Sequence, residues 1–367
     1  MRRFSTIILL ILCSASIVAQ ERIDNYYQFN VRQHEKGGGD DVFFDSDYMY
    51  VAERNGSSMR FTINVYSLET KQKVRTYSPP NQFRDAPGYV IDDGAIFFHT
   101  DDEVTKVNME DNSIAWLTEY SSGWVAQIGP VAFENHIGIA LDDLILIIDK
   151  ETGEKFVKIR GDDFDQSLTL TDDFLLYGTF EDGILHVYDL QAKEDRFTLK
   201  VGDQLGEGFT QIGEDLVFPS TNVRITCVNG QNGEEKWVWN SDELEGGCGH
   251  GFNDAPALIG DELFVNQRET GMYIFNKDDG SFVERIKFKE SICTEWLEYN
   301  GKIIVVGGGT LFAVDPATRE KQVLATYPIN DESMPYINHN GRYLALHSIG
   351  CYCKPIVRLF DLEELLN

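Results

Sequence analysis

Cysteine and histidine side chains in the last third of the chain carry its most distinctive chemistry. Those that could act as soft or borderline metal ligands are Cys248, His250, Cys293, Cys351 and Cys353. A zinc or copper site needs four such ligands, or three with an open position, at about 2.0 to 2.3 Å from the metal. The paired spacing typical of zinc knuckles occurs nowhere in the sequence. We therefore predict no metal site.

The sequence contains no other motif that identifies a catalytic or nucleotide-binding site. The segment GGCGHGF (246–252) is rich in glycine, but no Lys-Ser or Lys-Thr pair and no amphipathic helix follow it, so it lacks the features of a phosphate loop. The hydrolase motifs G-x-S-x-G and H-E-x-x-H are absent. Carboxylates are so numerous that any pair chosen as acid and base would be arbitrary. The catalytic residues, if there are any, stay unknown.

The elements that must position these residues follow from a pattern that recurs eight times. Each copy has an alternating apolar strand, a polar anchor residue, a turn and, in all but the last copy, a second strand. The anchors are Ser67, Asn108, Asp149, Asp189, Asn229, Asn276, Asp315 and Asp361. By subtraction they lie 39 to 47 residues apart, a spacing typical of propeller blades.

Each part of the pattern has a physical reason. An Asp or Asn side chain can accept hydrogen bonds from backbone N–H groups two residues further on and so fix a turn. Gly153, Gly233 and Gly280 lie four residues after their anchors, where glycine adopts a positive φ at little cost, and Asn112 can tolerate the same conformation. Seven or eight residues after the anchor, a large ring is expected to pack between blades. These rings are Trp116, Phe156, Phe197 and Trp237.

A second, independent set of eight turns, beginning with DSD near residue 45 and DDG near residue 92, alternates with the first. Two alternating sets of turns define four-stranded units. The last unit lacks a fourth strand, and the strand-like run Tyr26 to Arg32 can supply it. We predict an all-β fold: one eight-bladed propeller of four-stranded antiparallel blades, spanning residues 20–367 and closed by an N-terminal strand.

Residues 1–19 read as a cleavable secretory signal, with Arg2 and Arg3 before an apolar run and small residues after it. We predict export to the periplasm or the exterior. Cys13 raises a lipoprotein alternative, but Leu12 precedes it where a lipobox needs a small residue. In an oxidising compartment, Cys248 and Cys293, on loops one blade apart, form a candidate disulfide. Cys227, within a strand, is predicted to be a buried apolar residue.

The charge balance limits the partners. The chain has 60 acidic and 32 basic side chains, a formal net charge of -28. Such an excess repels phosphate backbones and anionic headgroups, so we expect no nucleic acid partner. No segment is long enough to be a transmembrane helix. We expect a monomer with a protein or another extracellular ligand as its partner.

The repeat resembles the pyrroloquinoline-quinone-like repeat family, in which an apolar strand is followed by Asp, a Thr-Gly turn and Trp. IIDKETGEKF, with Thr152 and Gly153, and CVNGQNGEEKW, with Gly233 and Trp237, match best, whereas YSLETKQKV keeps neither glycine nor tryptophan. The resemblance implies either a quinone-dependent dehydrogenase or a non-enzymatic scaffold. The dehydrogenase branch often carries two adjacent cysteines, but here Tyr352 separates Cys351 from Cys353.

The hypothesis we favour is an exported, non-catalytic binding or scaffold module with no cofactor. Its loop-rich face would present Arg84, Trp124, His250 and Trp296 to a ligand near the axis. The same residues could instead pack the loops and neutralise nearby carboxylates. The alternative function is a small quinone-dependent dehydrogenase, which would need pyrroloquinoline quinone and calcium. A calcium-stabilised structural repeat is a third reading.

Overall fold

The computed structural model describes most of the strands and turns of the chain. The described residues are 21–23, 25–30, 42–55, 60–80, 88–100, 102–122, 130–162, 164–171, 173–179, 183–200, 208–220, 224–241, 252, 255–267, 271–289, 291–328, 336–347 and 356–367. They form 33 strands and one short helix. The strands make eight antiparallel sheets, seven with four strands and one with five. The predicted all-β, eight-bladed propeller is confirmed.

The first two strands, β1 (Glu21–Ile23) and β2 (Tyr26–Asn30), belong to the eighth blade. Blade 1 contains β3 (Val42–Phe44), β4 (Tyr48–Asn55), β5 (Arg60–Ser67) and β6 (Lys73–Tyr77). Blade 2 contains β7 (Gly88–Asp92), β8 (Ala95–His99), β9 (Glu103–Asn108) and β10 (Ile114–Glu119). Blade 3 contains β11 (Val131–Ala132), β12 (His136–Leu141), β13 (Leu144–Asp149) and β14 (Lys155–Arg160).

Blade 4 contains β15 (Phe164–Leu170), β16 (Phe174–Thr179), β17 (Ile184–Asp189) and β18 (Glu194–Lys200). Blade 5 contains β19 (Thr210–Ile212), β20 (Asp215–Ser220), β21 (Arg224–Asn229) and β22 (Glu235–Asn240). Blade 6 contains β23 (Ala257–Ile259), β24 (Glu262–Gln267), β25 (Gly271–Asn276) and β26 (Phe282–Ile286).

Blade 7 contains β27 (Ile292–Tyr299), β28 (Lys302–Gly307), β29 (Thr310–Val314) and β30 (Lys321–Thr326). Blade 8 contains β31 (Tyr336–His339), β32 (Tyr343–His347) and β33 (Ile356–Asp361), followed by the helix α1 (Leu362–Leu366). Strands β2 and β1 then complete its sheet.

The N-terminal strand closes the ring as predicted. Strand β2 pairs antiparallel with β33, with Tyr27 opposite Leu359 and Phe29 opposite Val357. Phe29 is fully buried and its ring centre lies 4.6 Å from that of Tyr66 in blade 1. Strand β1 was not predicted. It pairs with β2 and gives blade 8 its fifth strand.

The anchor residues form the turns expected of them. In blade 3, Asp149 Oδ1 accepts hydrogen bonds from the backbone N–H groups of Glu151 at 3.0 Å and Thr152 at 2.7 Å. The N–H of Gly153 then donates to the Asp149 carbonyl at 3.0 Å. The same side-chain contacts recur at Asp189, Asn229 and Asp315.

In the first seven repeats the residue four places after the anchor has a positive φ, as predicted for Gly153, Gly233, Gly280 and Asn112. Three other turns place a long basic side chain in this conformation, which the sequence did not indicate. These residues are Lys71 (φ 59°), Lys193 (φ 59°) and Arg319 (φ 64°). A positive φ is unfavourable for a residue with a Cβ atom. At these three positions either the contacts of the basic side chain or the hydrogen bonds of the turn must compensate for it.

The rings on the outer strands explain the glycines. A Cβ on Gly153 would lie 2.7 Å from Cδ2 of Trp116 in the preceding blade, and Gly233 and Gly280 are covered in the same way by Phe197 and Trp237. The prediction for Phe156 was wrong. Phe156 is the extra residue of a β-bulge, so it points outward and stacks on His136 of its own blade.

The hydrophobic core is divided among the boundaries between neighbouring blades. One cluster joins Ile63 of blade 1 to Ile96 of blade 2, and another joins Val217 of blade 5 to Leu263 of blade 6. Each blade therefore packs mainly on its neighbours, as expected for a propeller.

The turns between first and second strands and between third and fourth strands emerge together on one face, here called the turn face. The other connections emerge on the opposite face, here called the loop face.

Candidate functional site

A cavity of about 800 Å³ opens on the turn face between blade 8 and blade 1. We call this cavity the seam groove, because it lies where the N-terminal strand closes the ring. It is lined by Tyr27, Ser46, Asp47, Tyr48, Ser67, Leu68, Glu69, Lys71, Asn340, Arg342, Tyr343, Asp361 and Glu364. The lining is mainly polar, with three aromatic rings.

Two short turns fix the inner part of the seam groove. In blade 1, Asp45 Oδ1 accepts from the backbone N–H groups of Asp47 at 2.8 Å and Tyr48 at 2.7 Å. In blade 8, Asn340 Oδ1 accepts from Tyr343 N–H at 2.9 Å. The Asn340 amide also donates to the Asp45 carbonyl at 3.1 Å and so links the two blades. The groove therefore has a preformed shape.

Lys71 lies in the floor of the seam groove and is only 6% exposed. Its ammonium donates to the Leu68 carbonyl and lies 3.9 Å from the centre of the Tyr343 ring and 5.7 Å from that of Tyr27. Burial lowers the pKa of Lys71, against the opposing effect of the negative charges of Asp361 and Glu364. The cation is thus held by aromatic and carbonyl groups at the blade boundary.

Lys71 occupies the place that glycine takes in blades 3, 5 and 6. Trp116, which covers Gly153, lies opposite Lys106, two residues before the anchor Asn108. Tyr27 lies opposite Leu359, again two residues before an anchor, Asp361. Between blades 8 and 1 the aromatic ring is retained as Tyr27, but Lys71 replaces the glycine. The Lys71 ammonium therefore lies near the Tyr27 ring.

Arg342 and Asp361 form an ion pair in the seam groove. Arg342 donates from Nε at 3.1 Å and from Nη2 at 2.8 Å to the two carboxylate oxygens of Asp361, and it also pairs with Glu363 at 2.7 Å. Burial alone would raise the pKa of Asp361, but the hydrogen bonds and charge of Arg342 hold it below its usual value.

Asp361 is the eighth anchor, and its role differs from that of the other seven. Its Oδ1 accepts from Glu363 N at 3.1 Å and Glu364 N at 3.4 Å, which caps helix α1. The chain therefore continues as a helix, where the other blades continue into an outer strand. Glu364 on this helix lines the groove.

The seam groove carries four carboxylates and two cations. It can bind a polar ligand through ion pairs, hydrogen bonds to Ser46 and Asn340, and contact with Tyr48, which is 37% exposed. The sequence did not point to this groove. Two signals were available: a lysine where other repeats have glycine, and a tyrosine in the strand that closes the ring.

The ligand-binding residues predicted from the sequence were assigned to the loop-rich face. Arg84, Trp124 and His250 lie outside the described residues, as does Cys248 of the predicted disulfide. Cys293 lies on β27, and its side chain is likewise outside the description. The structure therefore does not bring this predicted set together or separate it.

Trp296, the remaining member, lies on β27 and packs in the core between blades 6 and 7. Its indole N–H donates to the Ala255 carbonyl at 2.8 Å. Its hydrogen-bond donor is therefore already used.

Two further features bear on chemistry. Cys227 is 1% exposed within an apolar cluster, as predicted, and burial raises the pKa of its thiol to about 12. Across the described part of the chain, no three His, Cys, Asp or Glu side chains converge as a metal site would require.

None of the described helices is long and apolar enough to span a membrane.

Comparison with known proteins gives a family match for part of the chain. Residues 221–322 match the sequence family described as outer membrane protein assembly factor BamB. No curated protein matches the sequence.

Solved structures match over most of the chain. BamB from Moraxella catarrhalis is 13% identical, with a TM-score of 0.63, over 94% of this chain and 99% of that one. The computationally designed protein Ika8 is 14% identical, with a TM-score of 0.65, over 87% of this chain and 95% of that one. A europium-containing methanol dehydrogenase is 12% identical, with a TM-score of 0.62, over 91% and 92%. At these identities the likeness shows the fold alone.

Proposed function

Since this chain is an eight-bladed propeller of the pyrroloquinoline-quinone-like repeat type, we propose that it is an exported, non-catalytic module that binds a protein partner. The observation that carries the proposal is the match of residues 221–322 to an outer membrane protein assembly factor. The apolar run after Arg2 and Arg3 supports export, and the family match favours the periplasm.

The ring suits such a role because it holds its surfaces rigidly. Turns fixed by anchor side chains and blades packed on one another leave little backbone freedom to lose when a partner binds. On the loop face, Arg84 and His250 would supply charge or hydrogen bonds, and Trp124 would supply aromatic area.

Site-specific photo-cross-linking in the native envelope tests the proposal. A photoreactive residue at Arg84 or at Trp124 should give an adduct with a defined envelope protein. The same group at Val323, an exposed position on the outer strand of blade 7, is the control and should give none. Absence of adducts from Arg84, Trp124 and the turn-face position Tyr48 alike would contradict a protein-binding role.

A quinone-dependent dehydrogenase is the second candidate, favoured by the structural likeness to a methanol dehydrogenase. This reading predicts a rise in melting temperature with pyrroloquinoline quinone plus calcium or europium, together with dye reduction in the presence of an alcohol. Both results together would overturn the non-catalytic proposal. A melting temperature raised by calcium alone and lowered by a chelator would instead support a calcium-stabilised repeat.

A further inference from the structure

The mouth of the seam groove carries two carboxylates on adjoining turns of blade 1. Asp47 and Glu69 are both exposed. The N–H of Leu68, next to Glu69, donates to the Asp47 carbonyl at 2.8 Å, which fixes the two turns side by side. Neither carboxylate forms an ion pair with a cation of the described residues. At the equivalent positions of blade 6, Asp261 and Asp278 both contact the ammonium of Lys277, at 2.7 and 3.2 Å. In blade 1, Leu68 takes the place of this lysine, so a cation from a ligand can take the place of the ammonium.

The cations of the groove are already engaged elsewhere. Arg342 is paired with Asp361 and Glu363. Lys71 is buried against the Leu68 carbonyl and the Tyr343 ring. The negative charges at the mouth that no described cation pairs with are therefore those of Asp47 and Glu69.

An aromatic surface lies beside these carboxylates. Tyr48 follows Asp47 directly, and its ring meets Tyr50 edge-on with centres 6.5 Å apart. The exposed part of the Tyr48 ring can stack on a planar cation, which an arginine guanidinium provides.

We propose that the seam groove binds an arginine-containing segment of the protein partner, with the guanidinium between Asp47 and Glu69 and against Tyr48. This inference rests on the proposed function and names the chemistry of one contact. Ser46 and Asn340 supply hydrogen-bonding groups for the peptide backbone of that segment. An acidic groove also explains how a protein of net charge -28 can select a basic partner.

The test measures binding of a fluorescein-labelled peptide of alternating arginine and serine to the purified protein by fluorescence anisotropy, with a chelator present. The double substitution Asp47→Asn, Glu69→Gln should weaken binding at least tenfold and reduce its dependence on salt concentration. Tyr48→Ala should weaken binding severalfold.

The matched control removes the same charge from other positions on the turn face. Glu110 in blade 2 and Glu134 in blade 3 are exposed and form no ion pair with another described residue. Glu110→Gln, Glu134→Gln should change the Kd less than twofold. Equal weakening by both double variants would show attraction to the overall charge and would overturn the inference, as would absence of peptide binding.

Two further outcomes separate this inference from the proposed function. Envelope cross-links that persist unchanged in Asp47→Asn, Glu69→Gln would leave the scaffold role intact and overturn the groove assignment. A calcium-dependent thermal shift that this variant abolishes, without peptide binding by the unaltered protein, would identify a metal site instead.

Discussion

Gly153 of blade 3 lies directly beneath the indole ring of Trp116 in blade 2, so close that a Cβ would be 2.7 Å from Cδ2. The indole N–H also donates to the Lys150 carbonyl, at 3.1 Å, in the same turn as Gly153. The turn of one blade thus forms the seat for the ring of the preceding blade. Residues of the repeat motif therefore also hold neighbouring blades together.

Gly153→Ala should destabilise the protein by more than a positive φ alone would cause. The backbone conformation costs an alanine about 1 to 2 kcal/mol, and the clash with Trp116 should add about 1 to 3 kcal/mol. Gly94→Ala is the matched control, because Gly94 has a φ of 69° but a Cβ at this position would have no atom within 4 Å. Chemical denaturation measures both. Equal losses of stability in the two variants would show that the Trp116 ring moves away from the added methyl group at no cost.

Arg319→Gly should destabilise the protein, whereas Lys193→Gly should not. Both variants place glycine at a position with a positive φ. However, Arg319 pairs with two glutamates of the preceding blade, Glu262 at 2.6 Å and Glu284 at 2.8 Å. We expect Arg319→Gly to cost about 2 kcal/mol through lost charge-assisted hydrogen bonds. Lys193→Gly should be neutral or slightly stabilising, because its side chain is exposed. Thermal melts of both variants decide the point, and a stabilised Arg319→Gly would refute it.

Asp315 should contribute to acid sensitivity. Its carboxylate accepts hydrogen bonds from the Lys302 ammonium and from the N–H groups of Thr318 and Ala317, which lower its pKa from 3.8 to about 2. A lowered carboxyl pKa stabilises the fold above about pH 4, and this contribution is lost as the pH falls towards 2. Asp315→Asn should therefore melt below the unaltered protein at pH 7, with a gap that narrows below pH 4.

The control for Asp315 is Glu110→Gln, which removes an exposed carboxylate from another turn between third and fourth strands. Its melting temperature relative to the unaltered protein should not follow the same pH course. A gap for Asp315→Asn that is constant from pH 7 to pH 3 would exclude the linkage.

Phe29→Ala should weaken ring closure. Phe29 is fully buried on the closing strand and contacts Tyr66 of blade 1. Removing a buried phenyl ring costs about 3 to 5 kcal/mol. Gln28→Ala on the same strand, at a half-buried position, should cost much less. Faster proteolysis of Phe29→Ala than of Gln28→Ala under native conditions would confirm the expectation, and equal rates would contradict it.

The amino-acid sequence by itself determined the number of blades, their strand pattern, the glycines with positive φ and the strand that closes the ring. These features depend on hydrogen bonds within a few residues of each anchor and on alternation along one strand, as in the turn from Asp149 to Gly153. Short-range interactions of this kind are visible in a linear pattern.

Only the tertiary structure decided what neighbouring blades do to each other. The outer strands of blades 2 and 3 both contain a β-bulge seven residues after the anchor. Phe156 occupies the bulge and points outward, whereas Trp116 follows the bulge and packs inward. Asp361 begins a helix although the sequence before it resembles that of the other anchors. The seam groove joins Tyr27 and Asp47 to Arg342 and Asp361, which lie hundreds of residues apart in sequence. Such a site depends on how the ring closes. Ring closure depends on contacts between residues far apart in sequence, which a local sequence pattern does not contain.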